Sequence, residues 1–223
     1  MKKLSTLPIL VAIAIFACTD IDPEDENKDN AGASSSSAKS SNSQSSNYLG
    51  SMEHEGKTYK TAKIGSQTWF AENINAAPRS GNSWCYGGIE GHCDKRGKLY
   101  DWTAANDVCP SGWKLPSKDN YNKLLDYLEE ENGNYPAAYL LKSSRDWDSD
   151  AGSDRYGFSA IPSGYRSNSS PLWVWLDEEV RWWTSSEADF QSAYYRGIVK
   201  NDNNLRSSYD KKAMGFSVRC IKE

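Results

Sequence analysis

Long apolar runs are scarce in this chain. The longest unbroken one, Ile9 to Ala17, falls far short of the roughly 20 residues that a membrane-spanning helix requires. Histidine is almost absent, with only His54 and His92 in 223 residues, which argues against a Ser-His-Asp triad. No CxxC pair occurs, so the usual redox dithiol and zinc-finger spacings are both missing. No glycine-rich loop of the phosphate-cradling type is present. The net charge is −4 and the bases form no stripe, which excludes nucleic acid as an expected partner. Carboxylates near aromatics (Glu72, Asp177 and Glu187) are the only acids that invite a glycosidase reading, and nothing in the sequence links them into the pair that such chemistry needs.

What is present begins at the amino terminus. Met1-Lys2-Lys3 precedes a mostly apolar stretch, Leu4 to Ala17, the pattern of a secretory signal peptide. Ile15-Phe16-Ala17-Cys18 resembles a bacterial lipobox, which implies cleavage after residue 17 and lipidation of Cys18. The five cysteines are Cys18, Cys85, Cys93, Cys109 and Cys220. An odd count in an exported chain asks which thiol is left over; lipidation of Cys18 leaves an even set. Two acyl chains satisfy the requirement for stable anchoring. Residues 18–47 are acidic and then Ser-rich, with no aromatic and only Ile21 as a sizeable apolar group. Such a segment cannot bury enough surface to offset chain entropy and is expected to be a tether. Acids directly after the modified cysteine resemble surface-export signals. A plain solvated tether is the equal alternative, so the expected location is the cell envelope, lipid-anchored in the outer membrane, with the periplasmic and surface faces both open.

Residues 48–223 have the size of one domain and hold all nine tryptophans. Lys57 to Ile64 alternates polar and apolar residues and predicts a strand, joined through Gly65-Ser66 to a second extended piece, Gln67 to Ile74. Gly97 to Asn106 carries apolar residues at helical spacing. Ser117 is a good N-cap for a helix with Tyr121, Leu124, Leu125 and Leu128 on one face, stopped at Gly133. Pro136 to Ser143 predicts a third helix, and Asp146 to Tyr156 a loop. Six strand-like stretches follow: Phe158–Tyr165, Val174–Leu176, Val180–Ser185, Ala193–Val199, Asn204–Tyr209 and Phe216–Ile221. Helices early and antiparallel strands late predict an α+β domain with two or three short helices.

Cys85 and Cys93 flank a glycine-rich loop that a local disulfide would clip. Cys109 follows the first predicted helix and Cys220 sits on the last predicted strand, so a second disulfide would tie the two halves together. The other two pairings of four cysteines remain open from the residues alone. Cys85, Cys93 and His92 offer zinc ligands, but an exported chain favours oxidation of the thiols, and no metal is expected there.

Several segments occur in a characteristic order: GKTYKTAKIGSQTWFAENI (56–74), SWCYGG with CDKRGKLYDWTAA (83–105), VCPSGWKLPSKDNYNKL (108–124), YGFSAIPSGYR (156–166), WWTSSE (182–187) and GFSVRCIK (215–222). Together they resemble the Fibrobacter succinogenes major paralogous domain family, over nearly all of residues 50–223. The resemblance implies cysteines paired as above, and the Ser-rich tether behind a lipoprotein signal fits the family's layout. It implies no reaction. More distantly, the helix-Cys-Pro-x-Gly-Trp order, the late WTSS and the terminal cysteine strand resemble the C-type lectin-like fold. The EPN or QPD and WND motifs of calcium-dependent sugar lectins are absent, so that mode of binding is not implied. Oxidase-type relatives of the fold use a reactive cysteine pair, and the candidates here look committed to disulfides.

Two further features bear on ligands. Asp146, Asp148, Asp150 and Asp154 fall in one loop and supply the hard oxygens that a structural calcium takes, but an EF-hand register fails. Cofactors are otherwise not expected. Trp173 and Trp175 lie two apart and share a strand face in regular geometry; turned outward, they would form an aromatic platform, with Tyr165, Arg166 and Arg181 as polar neighbours. Trp182 and Trp183 should point to opposite faces. The expected function is a non-catalytic binding or adhesion domain for polysaccharide or a surface protein. An envelope enzyme, either a glycan hydrolase or an oxidase-like relative, is the alternative.

Overall fold

A computed structural model describes residues 48–223 apart from Pro171. Cys18, the signal peptide and the tether lie outside the described residues. No helix among those described is long and apolar enough to cross a membrane.

Strands β1 (Tyr48–His54), β2 (Lys57–Ile64) and β3 (Gln67–Phe70) form an antiparallel meander. Glu55 and Gly56 both have positive φ, at 47° and 75°, the geometry of a tight hairpin turn whose twist suits the flanking strands. β4 (Ser83–Trp84) and β5 (Leu99–Tyr100) pair across helix α1 (Glu90–Arg96). Helix α2 (Trp102–Ala105) follows, capped by the Asp101 carboxylate accepting from the Ala104 N–H at 2.8 Å. After β6 (Trp113–Lys114) comes α3 (Lys118–Asn132), opened by a capping box. Ser117 Oγ accepts from the Asn120 N–H at 3.1 Å, and Asn120 Oδ1 accepts from the Ser117 N–H at 2.9 Å. α3 buries Tyr121, Leu124 and Leu128. It ends at Gly133, where φ reaches 55°. α4 (Ala137–Leu141) starts after Pro136.

The remainder is β7 (Ser163–Arg166), β8 (Trp173–Leu176), β9 (Glu179–Glu187), β10 (Ser192–Val199), β11 (Arg206–Lys211) and β12 (Ile221–Lys222). One sheet runs β1-β2-β3-β12-β6 and the other β11-β10-β9-β7-β8. All pairings are antiparallel except β7 with β9, which is parallel. Among the described residues this is an α+β architecture with four α-helices.

The middle strand β9 of the second sheet buries side chains on both its faces. Trp182 packs with Trp69, Tyr121, Leu124, Trp147 and Phe158, whereas Trp183 packs with Tyr59, Phe70, Tyr100 and Phe216. This is the split of adjacent indoles that strand alternation predicts. Both disulfides form, Cys85–Cys93 and Cys109–Cys220.

Several expected elements are corrected. The extended piece Gln67–Ile74 stops as a strand at Phe70, because Asn73 turns inward to bonds described below. The helix expected over Gly97–Asn106 divides into β5 and α2. Gly97 has φ 78°, and a Cβ there would strike Asn73 and the Ile74 carbonyl. Tyr100 then bonds through both its N–H and its carbonyl to Phe216. The early part of Phe158–Tyr165 is not strand, since Ser159 takes φ 52°. Phe216–Ile221 enters the first sheet only at its end, its earlier residues bridging Tyr100 and Trp182 singly. β11 lies two residues beyond the expected Asn204–Tyr209. His54 is paired in β1 with Lys57.

Burial raises the pKa of the Tyr59, Tyr100 and Tyr121 phenols. In the unfolded chain tyrosines ionise near pH 10, about their unperturbed value. The unfolded state therefore loses protons first, so stability that is complete below about pH 10 declines as pH rises toward the folded-state values. The urea midpoint should fall above about pH 10, with tyrosinate absorbance appearing as the chain unfolds. Full tyrosinate absorbance from a still-folded protein would contradict this.

Candidate functional site

The five residues predicted to line a site all fall on β7, β8 and β9, and β7 divides them. Tyr165 and Arg166 are consecutive in a strand and so face opposite ways.

On the Tyr165 face, the parallel pairing of Gly164 with Val180 sets Arg181 beside Tyr165. The Arg181 guanidinium lies 3.8 Å from the Tyr165 ring centre, 4.9 Å from Tyr195 and 5.5 Å from Phe216. Glu179 accepts from its Nε at 2.8 Å and from its Nη2 at 3.2 Å, and Asp210 lies 3.5 Å from Nη1. Burial pulls the Arg181 pKa down, but hydrogen bonds and charge from Glu179 outweigh it and raise the pKa overall. Burial likewise raises Tyr165. Trp175 stands edge-on to Tyr165, with ring centres 6.2 Å apart, and is 51% exposed. The cluster is thus a fixed cation among aromatic faces, with an indole open to solvent.

On the other face, Trp173 packs on Tyr86 at 5.4 Å and Arg166 lies over Trp84 at 4.2 Å. Tyr86 comes from the loop closed by Cys85–Cys93, its carbonyl 2.9 Å from His92 Nδ1. Its ring sits where a side chain on Gly164 would be, 2.6 Å from the ideal Cβ. The single Trp173–Trp175 platform is not formed. Trp175 has φ 57°, a left-handed conformation uncommon for a bulky residue, which breaks the alternation that would align the two indoles. Trp84, Tyr86 and Tyr195 are the partners that periodicity did not reveal. The sequence signal for the first two was their position flanking Cys85.

The other predicted residues are dispersed. Glu187 pairs with Lys212 at 3.0 Å, and Asp177 accepts from Arg96 at 2.6 Å. Glu72 borders a cleft of about 310 Å³ together with Lys57, Asn73, Lys95 and Arg96. Asp146 pairs with Lys95, Asp148 with Lys200 and Asp150 with Lys142, while Asp154 accepts from the Ser159 N–H and Oγ. These four carboxylates do not gather. Among the described residues the one cluster of metal-type ligands is Cys85, Glu90 and Cys93, and its two sulfurs are bonded to each other. The four cysteines of the domain are all in disulfides, so among the described residues no thiol is free for oxidase-type chemistry.

Five of the six ordered sequence segments meet at one buried polar junction. Asn73 Oδ1 accepts from Trp182 Nε1 at 2.8 Å and from Arg219 Nη2 at 2.9 Å. Asn73 Nδ2 donates to the Arg96 carbonyl at 2.9 Å. Ser163 and Ser217 share a hydrogen bond at 2.9 Å, and Arg96 Nη1 donates to the Pro162 carbonyl at 3.1 Å. Arg219 also donates to the Phe158 carbonyl and lies over the Phe158 ring at 4.4 Å.

A two-disulfide α+β domain knotted at such a junction, with its last strand seated between β3 and β6, defines a structural class. The chain belongs to the Fibrobacter succinogenes major domain family, whose model matches residues 62–222. No curated protein and no solved structure matches it.

Proposed function

We propose that the protein is a cell-envelope lipoprotein, anchored through Cys18 in the outer membrane, that displays a non-catalytic carbohydrate-binding domain of C-type lectin-like arrangement. The observation that carries the reading is the half-exposed Trp175 standing on the Tyr165–Arg181 cluster. An exposed indole is an apolar surface that a sugar ring covers well. The placement of β12 between β3 and β6, with Cys220 tied back to Cys109, supports the lectin-like arrangement. Glu179 and Asp210 outnumber Arg181, so the site favours neutral over anionic glycans.

The test is sedimentation of the full-length protein with a panel of insoluble neutral polysaccharides. Trp175→Ala should weaken binding about tenfold or more, while the variant keeps a single cooperative urea unfolding transition. Failure of the unmodified protein to bind any member of a glycan array would overturn the reading.

A further inference from the structure

The stacked aromatic pair that the sequence places on β8 exists instead at the corner between α3 and α4. Tyr135 and Tyr139 have ring centres 5.9 Å apart and planes only 19° from parallel. They are 57% and 39% exposed, so the fold does not use them as core. Beside Tyr135 runs a groove of about 370 Å³, between the end of α3, the start of α4 and the β10–β11 turn. Its polar walls are Glu129, Asn134, Asn203 and Asn204, with Leu125 and Leu205 beneath. The Asn204 amide is committed to Asp202. Among the described residues, the side chains of Glu129, Asn134 and Asn203 hold no hydrogen bond or ion pair.

The surrounding backbone is fixed. Gly133 turns the chain with φ 55°. The Ala138 N–H donates to the Asn203 carbonyl at 3.2 Å, and the Tyr139 carbonyl accepts from the Ser153 N–H at 2.9 Å. The groove is therefore shaped before any ligand arrives, which lowers the ordering cost of binding.

We propose that this groove is a second carbohydrate site, for a neutral, flat-faced oligosaccharide. Tyrosine faces cover the C–H face of a pyranose ring. Each free amide offers a donor and an acceptor, matching the paired hydroxyls along one edge of a sugar chain, and Glu129 accepts from one more. The lining holds no Lys or Arg, so uronates and phosphorylated glycans find no counter-charge, and the one carboxylate disfavours them. The groove shares no residue with the Trp175 surface, and the proposal stands whether or not that surface binds.

The experiment is titration of isotope-labelled full-length protein with β-1,4-linked hexasaccharides of glucose, xylose and mannose, followed by NMR and calorimetry. Shifts of the Tyr135 and Tyr139 rings and of the Asn134 and Asn203 side-chain amides are expected, independent of any at Trp175. Tyr135→Ala/Tyr139→Ala should weaken the groove's affinity about tenfold or more; Tyr135→Phe/Tyr139→Phe, which keeps the rings, should retain it. Trp175→Ala should leave the groove shifts in place. Absence of shifts at these four residues with all three probes, or unchanged Asn134 and Asn203 shifts in the double alanine variant, would overturn the proposal. Loss of binding in Trp175→Ala alone would assign the activity to the other surface and overturn it equally.

Discussion

Asn73→Ala is expected to lower unfolding stability by about 3 kcal/mol, a loss typical of removing a buried polar hub. The substitution deletes the acceptor of the Trp182 indole N–H and an acceptor of Arg219, and it takes the donor from the Arg96 carbonyl. Trp182 and Arg219 are fully buried, so water does not replace what is lost. A buried donor without an acceptor costs about 1–3 kcal/mol, and more if charged. Urea denaturation of the variant measures the effect directly. A loss below about 1 kcal/mol would mean that the junction contributes little and that apolar packing alone holds the two sheets together.

Cys109→Ala/Cys220→Ala is expected to be costlier still. That bridge spans 111 residues of sequence, whereas Cys85–Cys93 spans 8. Chain entropy then assigns about 5 kcal/mol to the long loop and about 2.5 to the short one. Domains are stable by only about 5–15 kcal/mol, so the first pair of substitutions removes a large share of the total. Parallel urea titrations of the two double variants would show it. Equal losses would contradict a loop-length origin and point to local packing around buried Cys220.

The contrast between these two features marks what the sequence discloses. The cysteines announce themselves by type and position, but their pairing was open from the residues alone; the family resemblance implied it, and the structure forms it. α3 was legible because Ser117, the Tyr121–Leu128 periodicity and Gly133 each act locally. β2 was legible through alternation alone. Asn73 was not, since its effect comes from Arg96, Trp182 and Arg219, all distant in sequence. For the same reason the helix predicted from Gly97 onward failed. The spacing of Leu99, Trp102 and Ala105 was helical, but close packing of Gly97 against Asn73 and pairing of Tyr100 with Phe216 overrode it. At the candidate site, residue types were readable while geometry was not. Tyr165 and Arg181 do meet, through a parallel strand pairing that no local pattern signals, and Trp175 reaches Tyr165 from antiparallel β8. The left-handed backbone of Trp175, which separates it from Trp173, has no signature in side-chain alternation.

The position of β1 has a mechanical consequence. It is the outermost strand of its sheet, and its first residue, Tyr48, lies at the end away from the Glu55–Gly56 turn. Tension applied from the amino-terminal side would open the β1–β2 pairing one rung at a time, a weak geometry, leaving β2 held by β3. Past that point the Cys109–Cys220 bond short-circuits everything between its ends, so the force cannot lengthen the helix α3 or the second sheet. The protein would act as a short yielding strap in front of a locked body. Single-molecule pulling should show a contour length that grows sharply once a reductant is added; an unchanged length would rule this behaviour out.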